Sequence, residues 1–270
     1  MMPIKNLFLT VGLLLALQSS PSAQAASPPN LQNLNLPQLD SVFKVFGADM
    51  IFRPLEPASS HVDVFGVSFG AVAGLTSTKK VKSEISGVDI NYIPAGDIYV
   101  GLHGPFGLAL ELGFIPALTL KDIKLEQYGG DLKWTINKVF FGEWLPVDVA
   151  LRAMYSSANI LYKQTINGVA DVIDYSTKLY GFNLSASKQL LFIEPYAGIG
   201  WIKQEANLSN TGTIRLFETS ITASNSIDKN IGTAWLFAGV QFHIFMANLT
   251  AEYSNIFGVH TYATKLGFKF

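Results

Sequence analysis

From position 65 the chain alternates strictly. Phe65, Val67, Phe69, Ala71, Ala73 and Leu75 are apolar, and Gly66, Ser68, Gly70, Val72 and Gly74 lie between them. Successive side chains of a β-strand point to opposite faces, so a period of two predicts a strand with one apolar face and one small or polar face. The period returns over residues 97–103, 110–114, 131–136, 148–155, 180–186, 196–201, 233–242, 248–254 and 265–270. Ten strands are expected, within a range of about eight to twelve, most of them near the length a tilted membrane strand needs.

A β-sandwich would alternate too, with one face on a core and the other in water. Two features favour closure into a barrel. The face opposite the apolar one is rich in Gly, Ser and Ala rather than in Lys, Glu and Thr, which suits a curved wall around a crowded lumen. The connections also alternate in length. Those at 104–107, 188–191 and 245–247 are tight, whereas 77–93, 116–128, 156–173 and 207–230 read as long polar loops. Short turns on one side and long loops on the other are the pattern of a transmembrane antiparallel up-and-down β-barrel. The connection at 137–146 is longer than that pattern wants. Phe106, Phe140, Phe141, Trp144, Phe192, Phe242, Phe245 and Phe270 gather at the short-turn ends, where an interfacial aromatic belt is expected.

Composition sharpens this reading. The chain is 49% hydrophobic but only 14% charged, where a soluble domain usually carries about a quarter charged residues. Beyond the leader no stretch is apolar for the length of a spanning helix. Apolar content without such a run is what strands showing lipid at every second residue would give. A net charge of −1 gives no reason to expect a nucleic-acid partner, and the absence of Cys excludes disulfides and a lipid-modified cysteine.

The first residues form a leader. Lys5 precedes an apolar run over 7–17, and Ala23-Gln24-Ala25 supplies the small-x-small cleavage pattern at Ala23 and Ala25. The expected division is a signal peptide over 1–25, an N-terminal extended segment with a short helix over 26–60, and a barrel over 61–270. In the middle part Leu39, Val42, Phe43, Phe46 and Met50 recur at helical spacing, with Asp40 as a candidate N-cap. This segment is expected to pack into or beneath the short-turn mouth as a plug.

The chain closes on Tyr262, Leu266, Phe268 and Phe270 in alternation. A terminal Phe with apolar residues at alternating positions resembles the last-strand signal of bacterial outer-membrane barrels. That resemblance implies an outer-membrane location and the barrel-assembly machinery as a partner. The stretch Phe52-Arg53-Pro54-Leu55-Glu56-Pro57-Ala58, followed by Phe65-Gly66-Val67, also resembles an uncharacterised family of exported barrel proteins and implies no activity. Outer-membrane lipid and lipopolysaccharide follow as expected surroundings, the latter within reach of Lys79, Lys80 and Lys82.

Strand parity places Asp97, Glu111, Asp131, Lys133, Asp148, Arg152, Glu194, Glu252, Lys265 and Lys269 on the inward face. Charges there must pair or stay hydrated. They are read as a salt-bridge network, with a polar constriction as the functional alternative. Glu111 with Lys133, and Glu252 with Lys265, are the expected cross-strand pairs. His61, His103, His243 and His260 stand in no nucleophile or metal-ligand pattern, so no enzyme, metal or cofactor is expected. The sequence therefore points to a barrel with a narrow or partly plugged passage for small or apolar molecules. The alternatives are a filled, structural or surface-interaction barrel and a soluble secreted β-sandwich.

Overall fold

A computed structural model of the chain describes residues 36–59, 65–84, 90–120, 123–136, 146–166, 169–216 and 219–270. The leader with Ala23 and Ala25, His61, and the belt residues Phe140, Phe141 and Trp144 lie outside them, as does most of the 137–146 connection.

Ten antiparallel strands close into one barrel, as the alternation predicts. They are β1 (Gly66–Ser77), β2 (Tyr92–His103), β3 (Leu108–Leu120), β4 (Ile123–Thr135), β5 (Asp148–Ile166), β6 (Val169–Ser187), β7 (Ile193–Leu216), β8 (Thr219–Ile244), β9 (Ala247–Ile256) and β10 (Val259–Lys269). Each strand pairs with its neighbours in sequence, and β1 pairs with β10 from Ser68↔Lys269 to Thr76↔Thr261 to complete the ring. Closure gives every strand a partner on both sides, the condition for a sheet to stand in hydrocarbon, although β8 runs past the end of β9 from Ala234 to Thr219. The last strand, carrying Tyr262, Leu266 and Phe268 on its outer face, seals the barrel against the first.

Three of the four expected long loops are strand instead. β3 runs to Leu120 before β4 begins at Ile123, β5 runs to Ile166 before β6 begins at Val169, and β7 runs to Leu216 before β8 begins at Thr219. The hydrogen-bond ladder needs no apolar side chain once the strands have left an apolar medium, so these polar stretches pair without showing the two-residue pattern. Among the described residues of these four connections, the first alone leaves the sheet, and it carries the short helix α2 (Lys79–Glu84). The wall is therefore uneven. β7 and β8 have 24 and 26 residues, against the roughly 9–11 that cross a membrane. β9 and β10, joined by a two-residue turn at Phe257 and Gly258, have 10 and 11.

The outer face carries one apolar band. On β7 it runs through Ala197, Ile199 and Trp201, then gives way to Lys203, Glu205 and Asn207. At the short-turn end Phe106, Leu191, Phe192, Phe245 and Phe270 are exposed. At the other limit an unexpected second girdle of exposed rings comprises Tyr92, Tyr128, Tyr155, Trp201, Tyr253 and Tyr262. Tyr128 touches Tyr155, and Tyr262 touches both Tyr92 and Tyr253, with ring centroids 5.5–6.4 Å apart. Above this girdle the outer surface is polar and paired, as in Lys203–Glu205 at 2.8 Å and Asn207–Asp228 at 2.8 Å.

Candidate functional site: the occupied lumen

The helix α1 (Leu36–Asp49) begins four residues before Asp40, so Asp40 lies inside the helix and does not cap it. Nor does the helix stand at the short-turn mouth. Its start sits beside α2, where Gln38 Nε2 donates to the Glu84 carbonyl over 2.7 Å. Asp40 pairs with Lys44 and, at 3.0 Å, with Lys229 of β8. Partial burial works against the Asp40 carboxylate, yet Lys44 and Lys229 hold its pKa below the ordinary value. The helix thus occupies the long-hairpin end. The expected stripe is too narrow for this surrounding. Of the expected stripe Leu39, Phe43 and Met50 are buried and Val42 and Phe46 only partly so, while Ser41, Val45 and Ala48 are buried as well, because wall surrounds the helix on more than one side.

Leu39, Phe43 and Met50 pack on Ile160, Tyr175, Ala206 and Leu208, the inner face of the tall β5–β7 wall. Val45, Ala48 and Ile51 pack on Met154, Leu179, Ile202 and Trp235. Gly47 lets helix and wall approach closely, since a Cβ there would stand 2.4 Å from Gln204 Oε1. Gln204 Nε2 in turn donates to the Phe43 carbonyl over 3.1 Å.

From Met50 the chain runs down the lumen as an extended strap to Ser59, buried at every position. Pro54 and Pro57 bar helix here by fixing φ and removing donors. The strap is fastened at intervals. The Phe52 amide donates to Ser156 Oγ over 2.6 Å, and the ring of Phe52 lies over Gly113 and Gly129. Arg53 Nη2 donates to the Ala48 carbonyl and, at 3.3 Å, to Thr76 Oγ1. Lys265 Nζ donates to the Pro54 carbonyl over 2.6 Å. Near the short-turn end Thr135 Oγ1 donates to the Ala58 carbonyl over 2.7 Å, and the amides of Ala58 and Ser59 reach Ser187 Oγ at 3.1 and 3.2 Å.

The structure brings the expected inward charges together around this strap, with Asp97, Glu111, Asp131, Lys133, Arg152, Glu194, Glu252 and Lys265 all buried. The two expected pairs do not form. Glu111 stands opposite Asp131 rather than Lys133, and Glu252 stands opposite Ala263 rather than Lys265. Instead Lys265 reaches Glu111 at 2.8 and 2.9 Å, with its ammonium 4.0 Å from the centroid of the Tyr99 ring. Arg152 Nε pairs with Asp131 at 3.0 Å, Glu252 accepts from the Tyr196 hydroxyl at 2.7 Å, and Asp97 accepts from Gln127 at 3.2 Å. Glu194 accepts from Ser187 at 2.7 Å and meets His243 at 3.0 Å.

The centre of the cluster is Glu56, which periodicity could not find because it lies in the segment without period. One of its carboxylate oxygens meets Lys133 Nζ at 2.7 Å and the other meets Lys269 Nζ at 2.8 Å, with Arg152 Nη2 at 3.7 Å. Its only signal in the sequence is a charge set between two prolines. Glu56, His103 and Glu111 also place one ligand atom each within 4.8 Å of one another. Those atoms are engaged: lysine ammonium groups hold both carboxylates, and His103 Nε2 shares a 3.0 Å hydrogen bond with Ser68 Oγ. The arrangement is a latch of ion pairs between strap and wall.

Comparison with known proteins adds the following. The profile of a family described as "Family of unknown function (DUF6588)" matches residues 37–270. No curated protein matches the chain. Among solved structures, the chain is similar to the translocator domain of the autotransporter NalP from Neisseria meningitidis, with 9% identity over 79% of this chain and 90% of that one and a TM-score of 0.43. It is similar to Ail, the attachment invasion locus protein of Yersinia pestis, with 12% identity over 76% and 97% and a TM-score of 0.33. It is also similar to the N-terminal β-barrel domain of Pseudomonas aeruginosa OprF, with 12% identity over 76% and 97% and a TM-score of 0.29.

Proposed function

The chain belongs to the DUF6588 family of unknown function, and we propose that it is an integral outer-membrane barrel, closed at rest by its own N-terminal strap, which small or apolar molecules pass only when that strap moves. The single observation that carries the closed state is the unbroken burial of residues 47–59 inside the ring of strands. Ten strands alone would leave a narrow path, since about eight already fill their interior with side chains. A threaded strap removes what is left.

A membrane setting is supported by the barrel's own surface. An apolar band bounded by two girdles of exposed rings, with polar pairs beyond one of them, is what a bilayer selects and what water penalises. The leader pattern with Ala23 and Ala25 supports export, and the alternating Tyr262, Leu266 and Phe268 on the outer face of β10 support an outer-membrane setting. Lipid and lipopolysaccharide are then its surroundings, and the barrel-assembly machinery its means of insertion.

A second reading is a surface scaffold whose lumen never opens. It is favoured by the projection of β5 to β8 far past the girdle. Conductance across a planar bilayer separates the two. The purified full chain is expected to be electrically silent, and a chain lacking residues 36–59 is expected to conduct. Steady conductance by the full chain would reject the closed state, and silence of a folded, inserted deletion variant would reject the passage and leave the scaffold.

A further inference from the structure

Resting on the reading that the strap seals the barrel, we propose that Lys133, Lys269 and Arg152 form a binding site for a small carboxylate anion, which Glu56 fills in cis. Within the wall the charges do not balance locally. Lys265 has Glu111 and Arg152 has Asp131, so both have a wall carboxylate of their own. Among the described residues, the only carboxylate within ion-pair distance of Lys133 or Lys269 is Glu56. Lys133 also donates to the carbonyls of Pro57 at 3.2 Å and Ser59 at 3.0 Å. All of its acceptors therefore belong to the strap.

Lys133 has a relative side-chain exposure of only 2%, and Lys269 is half-buried at 18%. A buried ammonium without a counter-charge is strongly disfavoured. The wall thus makes sense only with an anion at this point. Each Glu56 oxygen takes a separate lysine, and the guanidinium of Arg152 stands on one flank. This is the donor geometry that a free carboxylate would find once the strap withdrew. The strap is a tethered ligand for the passage it closes. An incoming carboxylate competes with an internal group whose effective concentration is of the order of millimolar or higher.

The test cuts the tethered ligand off its stem. E56A removes the atoms of an acetate ion while keeping the strap backbone. The wild-type chain is expected to be silent in a planar bilayer and E56A to conduct. Replacing chloride by about 10–100 mM acetate at constant ionic strength, the range for a millimolar site, is expected to restore silence to E56A. The same exchange is expected to leave E56Q unchanged, since its amide fills the site, and to leave E56A/K133M/K269M unchanged, since its site is gone. No effect of acetate on E56A, or an equal effect on the triple variant, overturns the site. Should E56A not refold alone, its refolding yield with and without acetate takes the place of current. A conducting wild type would bring down the sealed barrel instead. The anion site is then judged by the melting temperature of E56A, which acetate is expected to raise and which needs no closed pore; no rise overturns it.

Discussion

At the scale of single residues, the seal depends on side chains the wall leaves out. A Cβ at Gly113 would stand 2.3 Å from the Phe52 ring, and one at Gly129 would stand 2.6 Å from Phe52 Cβ. The Phe52 ring itself stands in the way at Gly113 and is fully buried, so Gly113→Val is expected to unseat the ring. Overpacking of this kind costs about 1–3 kcal/mol, to be read as a lowered unfolding midpoint together with the appearance of current. F52A in the same chain is expected to recover much of both by giving the new methyls room. Unchanged midpoint and current in Gly113→Val would show that the ring is not seated where it stands. The same scale shows where sequence reading stops. Parity alone placed Glu111, Lys133, Arg152 and Lys265 inside, because the period of two leaves no other choice. It could not pair them. A lysine side chain reaches past its nearest cross-strand neighbour, and the partner it meets is decided by the strap, whose residues carry no period. Glu56 is invisible to periodicity for that reason, and Asp40 is no N-cap because α1 begins at Leu36, before the apolar stripe that marks the helix.

At the scale of elements, the apolar band and the projecting wall obey different solvents. Ile199 faces outward within the band, and Asn207 faces outward on the same strand beyond Trp201. An arginine at the bilayer midplane on a lipid-facing position costs roughly 2–4 kcal/mol and falls to about 0–1 near the interface. Ile199 lies two residues inside Trp201, so Ile199→Arg is expected to lower folding stability in phospholipid vesicles by an amount between those limits, about 1–2 kcal/mol, and Asn207→Arg by less than about 0.5 kcal/mol, as for an ordinary surface change. Equal effects at the two sites would remove the membrane boundary at Trp201. This division also explains which strands were legible. A lipid setting selects apolar residues at most outer positions of the band, so that part of each strand shows the period of two. Beyond the girdle the outer face of β7 and β8 accepts polar residues, as Asn207–Asp228 and Lys203–Glu205 do, while Leu208, Ile227 and Ile231 inside pack on α1. Without an apolar outer face the alternation that marks a strand fades while the backbone ladder continues.

At the scale of the whole molecule, the strap connects two ends that the wall keeps apart. Its helix is held by the tall β5–β8 wall at one mouth, and its Ala58 and Ser59 are held by Ser187 at the other. A passage through this barrel thus requires that at least one anchorage let go, and the lower one can be tested directly. The chain contains no Cys, so A58C/S187C introduces a single pair of thiols at a point where the Ala58 amide already lies 3.1 Å from the Ser187 hydroxyl oxygen. Combined with E56A, which loosens the strap, the oxidised pair is expected to keep the bilayer silent, and addition of a reductant is expected to release the current. The reduced and oxidised chains share every residue, so the difference isolates movement of the strap from any change in the wall. Current that persists through the oxidised chain would mean that solute finds a path around a fixed lower strap. The tall wall with its docked helix would then have to supply the gate.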